Sequence, residues 1–145
     1  MRFRLVILGF WVGVMALFSF VVAPSAFAVL PSTALAGNLV SRVLAVTEII
    51  GVAASILLLL SLFLSREPRS RSRIIELFGY LATLLAMTAS HFYFSPRIHA
   101  IRSGSAAEPL SFDRLHQLSV GSMALCLLVG LLIIVVVLWN SRANA

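Results

Sequence analysis

The chain has 145 residues, of which 61% are apolar, and a mean hydropathy of +1.07. A soluble domain is about 45–50% apolar, and one of this length has too much surface to hide the excess. Composition therefore excludes an ordinary soluble fold and predicts an integral membrane protein. The net charge of +6 comes entirely from arginine. Because the arginines lie at the edges of apolar runs, they indicate membrane topology and not nucleic-acid binding.

Four apolar runs predict the architecture. Each is close to the ~20 residues that a helix needs to cross a bilayer, and lipid offers no partners for free backbone groups. We therefore expect an all-α fold, with a single domain over residues 1–145 that forms a four-helix transmembrane bundle. The predicted spans are residues 5–23, 43–64, 74–94 and 118–139.

The start of the chain also has features of a signal peptide. Arg2 and Arg4 precede an apolar stretch, and Ala26-Phe27-Ala28 has the small-x-small pattern of a cleavage site. The apolar stretch is longer than the ~7–15 residues of a signal peptide. We therefore expect it to be retained as the first helix, and we expect residues 24–42 to lie at the membrane interface or to pack against the bundle.

Small residues indicate where the helices approach one another. Gly9 and Gly13 form a G-x-x-x-G pair in the first span, and Gly51 lies on a face of small and hydroxylated residues in the second. Such residues let helix backbones pack closely in lipid. We expect these two faces to meet a polar stripe on the third span. A homodimer through Gly9 and Gly13 is the alternative.

The distribution of arginine predicts the orientation. Positive charge is enriched in the cytoplasmic loops of membrane proteins. Four spans place both termini and the turn 65–73 on one side, which carries more arginine than the other and is therefore predicted to be cytoplasmic. That side has Arg2, Arg4, Arg66, Arg69, Arg71, Arg73 and Arg142, against Arg42, Arg97, Arg102 and Arg114 on the other.

Glu48 and His91 are the ionisable residues deepest in the outer half of the predicted bundle. Glu48 lies roughly 24 Å from the inner end of its span and His91 roughly 26 Å, at 1.5 Å per residue. We expect them at one level, with Glu48 paired to His91 or to an arginine. Just above, the sequence predicts an outer mouth formed by the polar residues Arg97, His99, Asp113 and His116, with Ser111 as the N-cap of the fourth helix. Glu76 opens the third span and is expected to meet Arg71 or Arg73.

A metal or proton site is the alternative for the same polar residues. Its weak candidate ligands are His91, His116 and Glu48, with His99 or Met87 as further donors. Imidazole suits zinc, copper or iron, and thioether favours reduced copper. No spacing typical of a metal motif supports this interpretation, so we assign no metal and no cofactor.

Three separated groups of residues resemble a known family. They are the opening segment with Trp11-Val12-Gly13, Phe20–Pro24, Phe27, Leu30-Pro31 and Ala36-Gly37, then Ser95–Arg102, then Phe112–Ser119. Through them the chain resembles the bacterial domain of unknown function 4149 family, which is related to vertebrate transmembrane protein 205. The resemblance implies a four-span membrane protein that keeps its first helix, and it implies no reaction.

The family's recurrent positions fall on one set of residues at the predicted outer mouth. By resemblance they are Pro96, Arg97, His99, Arg102, His116 and Ser119. Glu48 and His91 do not fall on these motifs, which disfavours the metal interpretation. The Trp-x-Gly opening also has a fainter likeness to copper-resistance membrane domains, which is the one link to a metal.

The function expected from sequence is that of a small polytopic inner-membrane protein with a structural or accessory role. We expect no enzyme activity, because the sequence has no phosphate loop, no Ser–His–Asp order and no nucleophile elbow. The expected partners are the lipid bilayer and either further copies of the chain or another membrane protein, with no nucleic acid. The expected location is the bacterial cytoplasmic membrane, with both termini cytoplasmic. The alternative is a transporter-like or metal-handling protein that uses the outer polar residues.

Overall fold

The computed structural model describes residues 2–65, 70–104 and 111–143, and all regular structure in these ranges is helical. Two short π-helical segments, π1 and π2, each join two α-helices into one continuous rod. We call α1–π1–α2 span 1, α3 span 2, α4–π2–α5 span 3 and α6 span 4. The elements are α1 (Arg2–Leu17), π1 (Phe18–Val22), α2 (Ala23–Val29), α3 (Thr33–Leu64), α4 (Arg71–Ala89), π2 (Ser90–Phe94), α5 (Ser95–Ser103) and α6 (Phe112–Ala143).

All four rods are long and apolar enough to cross a membrane. The predicted all-α transmembrane bundle is therefore confirmed, and the rods extend beyond the predicted spans. Residues 24–42, expected at the interface or packed against the bundle, are mostly helical, because α2 continues span 1 and α3 begins at Thr33. The third span was predicted to end at residue 94, but α5 continues it to Ser103, where Gly104 ends the helix with a φ of 65°. Glycine adopts this left-handed conformation without a Cβ clash.

Serine hydroxyls start three of the helices. Ser32 accepts a hydrogen bond from the Leu35 amide at 3.2 Å, and Ser70 accepts one from the Arg73 amide at 3.4 Å. Ser111 accepts one from the Arg114 amide at 3.4 Å, which confirms the predicted N-cap, and Asp113 lies in the first turn of α6. Such caps satisfy amides that have no partner within the helix.

Each π segment ends two residues before a proline. A proline has no N–H, and its ring clashes with the carbonyl four residues earlier. In span 1 the Ala23 amide donates to the Phe18 carbonyl, five residues back, just before Pro24. In span 3 the Ser95 amide donates to the Ser90 carbonyl just before Pro96. The wider turn accommodates the ring without breaking the rod.

The two halves of the chain repeat the same architecture. The π segments begin at Phe18 and Ser90, a separation of 72 residues. The uninterrupted helices α3 and α6 are each 32 residues long and begin at Thr33 and Phe112, a separation of 79 residues. Each half therefore consists of a proline-containing rod with a π turn, followed by a long straight helix.

The buried positions repeat in the same register. At a separation of 72, Leu8 and Tyr80 are both buried, as are Met15 and Met87, and at 79 Gly51 corresponds to buried Gly130. Spans 1 and 3 each pack on both spans 2 and 4. This ring arrangement has an approximate two-fold axis parallel to the helices, as in membrane proteins built from parallel repeats. We call the end where α1 and α4 begin the arginine end, and the opposite end the proline end.

The glycines of the G-x-x-x-G pair do not pack inside this ring. Gly9 and Gly13 are exposed, and a Cβ at either would meet nothing within 4 Å. The expectation that they face the other spans is wrong, because span 1 turns its large residues inward instead. Gly51 does lie at a helix contact, since a Cβ there would be 2.5 Å from Cη2 of Trp11.

Replacing Gly51 by leucine should destabilise the bundle, because the new side chain would occupy the space of the Trp11 ring. Overpacking of this kind costs about 1–3 kcal/mol. Gly121→Leu in α6 is the matched control, since a Cβ at this exposed position meets nothing within 4 Å and the melting temperature should stay unchanged. Thermal unfolding of the purified variants measures both. An equal loss in the two variants would contradict the packing of Trp11 on Gly51.

Candidate functional site

A buried ion pair joins spans 1 and 3 near the arginine end. Nε of Arg4 lies 3.3 Å from Oε2 of Glu76, and the two side chains are only 3% and 5% exposed. The Tyr80 hydroxyl donates to the same carboxylate oxygen at 3.1 Å. Arg4 also donates to the Ser65 hydroxyl at 3.3 Å. The pair thus has the supporting hydrogen bonds that a buried charge pair requires.

This arrangement corrects the predicted partner of Glu76. Arg73, expected to meet it, instead donates to the carbonyls of Leu62 and Ser65 at 2.6 and 3.1 Å. Arg73 therefore satisfies carbonyls at the end of α3, a position where positive charge also favours the helix dipole. Arg4 and Glu76 are 72 residues apart, so they are equivalent positions of the repeat that face each other across the bundle.

A second buried polar group lies nearer the proline end and joins spans 2 and 3. Glu48 is fully buried, and its Oε1 accepts hydrogen bonds from the hydroxyls of Ser90 at 2.5 Å and Ser95 at 2.9 Å. Its Oε2 lies 3.1 Å from Nδ1 of His91. The predicted pairing of Glu48 with His91 is confirmed, and so is their common level in the bundle. We call Glu48, Ser90, His91 and Ser95 the Glu48 site.

The π turn explains how three donors reach one carboxylate. In a π-helix each backbone hydrogen bond joins residues five apart, so side chains five positions apart lie on the same face of the helix. Ser90 and Ser95 are five apart and both reach Oε1, while His91 reaches Oε2. Pro96 causes the π turn, and the π turn in turn aligns the donors on Glu48.

The equivalent position between spans 4 and 1 is apolar. The counterpart of Glu48 is Leu127, which packs against the apolar cluster that contains Phe18, the counterpart of Ser90. Ser19 and Ala23 stand in place of His91 and Ser95.

The other residues of the predicted outer mouth are placed separately around the proline end. Arg97 lies over the Tyr93 ring at 3.5 Å, a cation–π contact. The His116 ring stacks on Phe112 with 5.8 Å between centroids. His99 and Asp113 are exposed.

The metal candidates are not brought together. His91 and Glu48 are in contact, but His116 lies on Phe112 instead. Among the residues that the structure describes, no group of three or more His, Cys, Asp and Glu side chains is placed to hold a metal ion.

Sequence reasoning missed several residues that shape these sites. Arg4 was counted only as a topology signal, and Ser90 and Ser95 were not singled out. Arg102 also has a specific place, since it donates to the Ser41 hydroxyl at 3.0 Å and so ties α5 to α3. The signal available in the sequence for the Glu48 site was the five-residue spacing of Ser90 and Ser95 just before a proline.

Comparison with known families identifies the chain. Residues 6–107 match the family described as Domain of unknown function (DUF4149). The chain belongs to this family. The match begins within span 1 and covers most of the chain, which confirms the family seen in the sequence, while the third group of residues, Phe112–Ser119, lies outside the matched range. Comparisons with curated proteins and with solved structures found no match.

Removing one partner of the Arg4–Glu76 pair should destabilise this DUF4149 protein strongly. Glu76→Leu leaves Arg4 as an uncompensated buried charge, which costs about 3–5 kcal/mol. The double variant Arg4→Leu/Glu76→Leu should regain most of the loss, because it leaves no unpaired charge in the buried site. A double-mutant cycle of unfolding free energies measures the coupling. Additive losses would contradict a direct pair.

Proposed function

We propose that this protein is a non-enzymatic accessory protein of the bacterial inner membrane. The observation that carries the proposal is that both buried carboxylates are bound by donors of the same chain. Glu76 is held by Arg4 and Tyr80, and Glu48 by Ser90, His91 and Ser95. These polar groups tie the spans to one another, which is what a structural role requires.

The proposed topology has both termini in the cytoplasm and span 1 retained. The arginine end carries Arg4, Arg71 and Arg73, which supports a cytoplasmic assignment. Arg66 and Arg69 were counted toward the same side and lie outside the described residues, and the side chains of Arg2 and Arg142 are likewise not described. Retention of span 1 is supported by Trp11 and Met15, which are buried in the bundle.

Reporter fusions test this topology. A fusion after Arg71 should be active only with a cytoplasmic reporter, and one after Gly104 only with an external reporter. The reverse pattern would contradict the orientation, and a shortened mature chain beginning near Val29 would contradict the retention of span 1.

The proposed partner is a second copy of the chain that packs on the outer face of span 1. Gly9 and Gly13 are open to the outside of the bundle, whereas the equivalent positions on span 3 are Leu81 and Leu85. Glycines on a lipid-facing surface permit close approach of another helix. The repeat supports this assignment. Since span 3 has leucine at both equivalent positions, packing within the bundle does not require glycine at positions 9 and 13.

Oligomeric state in detergent and in vesicles tests this partner. Gly9→Ile/Gly13→Ile should convert the oligomer to a monomer, while Leu81→Ile/Leu85→Ile on the equivalent face of span 3 should not. A monomeric wild type, or a variant with unchanged mass, would contradict the proposed self-association. Copper or zinc retained by pure protein and lost in His91→Ala/His116→Ala would instead favour metal handling.

A further inference from the structure

The Glu48 site has no acidic counterpart at the equivalent position of the other half of the repeat. Ionisable groups within spans are costly, and they commonly mark functional positions. The repeat provides an internal comparison, since Leu127 occupies the position of Glu48 between spans 4 and 1. The fold therefore accommodates an apolar residue at this level, and the acid needs a separate explanation.

The two buried carboxylates differ in the chemistry of their partners. Glu76 is paired with Arg4, and a guanidinium keeps its proton at every pH that a protein experiences. Glu48 is paired with His91, and imidazole gains and loses a proton between about pH 5 and 8 when unperturbed. In the first pair the positive charge of the basic partner is therefore permanent. In the second pair the basic partner is positive only while the imidazole holds a proton.

The imidazole provides a route from the outside of the bundle to the buried acid. Glu48 and Ser90 are fully buried, while the His91 side chain is 27% exposed. One ring nitrogen of His91 faces Glu48, and the ring has a second nitrogen that can exchange a proton. A proton that reaches the exposed part of the His91 ring from the membrane interface can therefore pass to Glu48 through the ring.

Within the described residues, no charged group on a neighbouring element is paired with Glu48 or His91. On span 2 Arg42 is exposed, and on span 3 His99 is exposed, Arg97 lies over Tyr93 and Arg102 donates to Ser41. Span 1 has Arg4 paired at the arginine end. On α6, which packs on π2, Asp113, Arg114 and His116 are exposed, and Cys126 is buried in an apolar cluster.

We propose that Glu48 and His91 form a proton-binding site whose occupancy controls the tie between span 2 and the π2 segment. A proton from water binds His91 and is shared along the Nδ1–Oε2 hydrogen bond, so that it rests on the imidazole or on the carboxyl. No other bond is made or broken. Release of the proton leaves a net negative charge in an apolar span, which weakens the attachment of π2 to α3.

The pH profile of stability in lipid vesicles tests this site. The melting temperature of the wild type should fall as the pH rises above about 6.5, the ordinary pKa of histidine, because the unfolded chain then releases a proton that the folded site retains. Glu48→Gln and Glu48→Leu, the latter matching Leu127, should flatten the profile. Glu76→Gln should lower stability at every pH and keep the slope. His99→Gln and His116→Gln are controls that should behave as the wild type.

Nuclear magnetic resonance of histidine-labelled wild type follows the His91 signal as a function of pH. This titration is measured on the wild type itself and does not depend on the stability of a variant. The His91 signal, identified by its loss in His91→Gln, should change with pH in step with the melting temperature. A wild-type profile that Glu48→Gln reproduces, or a His91 signal that does not respond to pH, would overturn the proposal.

Discussion

In the described part of the chain, the two buried carboxylates are held by side chains of other spans, because lipid offers a charged group no partner. That constraint accounts for both internal polar sites. Arg4 and Glu76 neutralise each other between spans 1 and 3, and Glu48 draws two hydroxyls and an imidazole from span 3. Each site connects helices that are distant in sequence. The arrangement of the four rods therefore depends on these contacts as well as on apolar packing, which in lipid has no hydrophobic drive between helices.

The repeat shows how one backbone arrangement supports two kinds of interior. Both halves have a proline, a π turn before it and a straight helix packed alongside. At the equivalent positions one copy has the apolar residues Phe18 and Leu127, and the other has the polar residues Ser90 and Glu48. The π turn is a backbone response to proline in both cases. The buried acid is present in one of the two copies.

The position of Glu48 against His91 could be predicted because counting residues along two helices gives their depths, and an ionisable group in lipid has to find a partner at its own depth. The partner of Glu76 could not be predicted in this way. Among the arginines whose side chains are described, Arg4, Arg71 and Arg73 lie near the same end, and the choice among them depends on which face of span 1 turns inward. Once Arg73 bonds the carbonyls that end α3, Arg4 alone of these pairs with Glu76.

The sequence by itself determined that four apolar helices form the molecule, that arginine collects at one end, and that Glu48 and His91 lie at one level. Length, composition and rise per residue are sufficient for these conclusions. Only the tertiary structure decided the rotation of each helix about its axis. Lipid and protein interior are both apolar, so the hydrophobic pattern of a membrane helix does not indicate which face packs inward. Only the structure therefore shows that Gly51 lies at a helix contact while Gly9 and Gly13 face outward. It also shows that Arg4 is the partner of a buried acid.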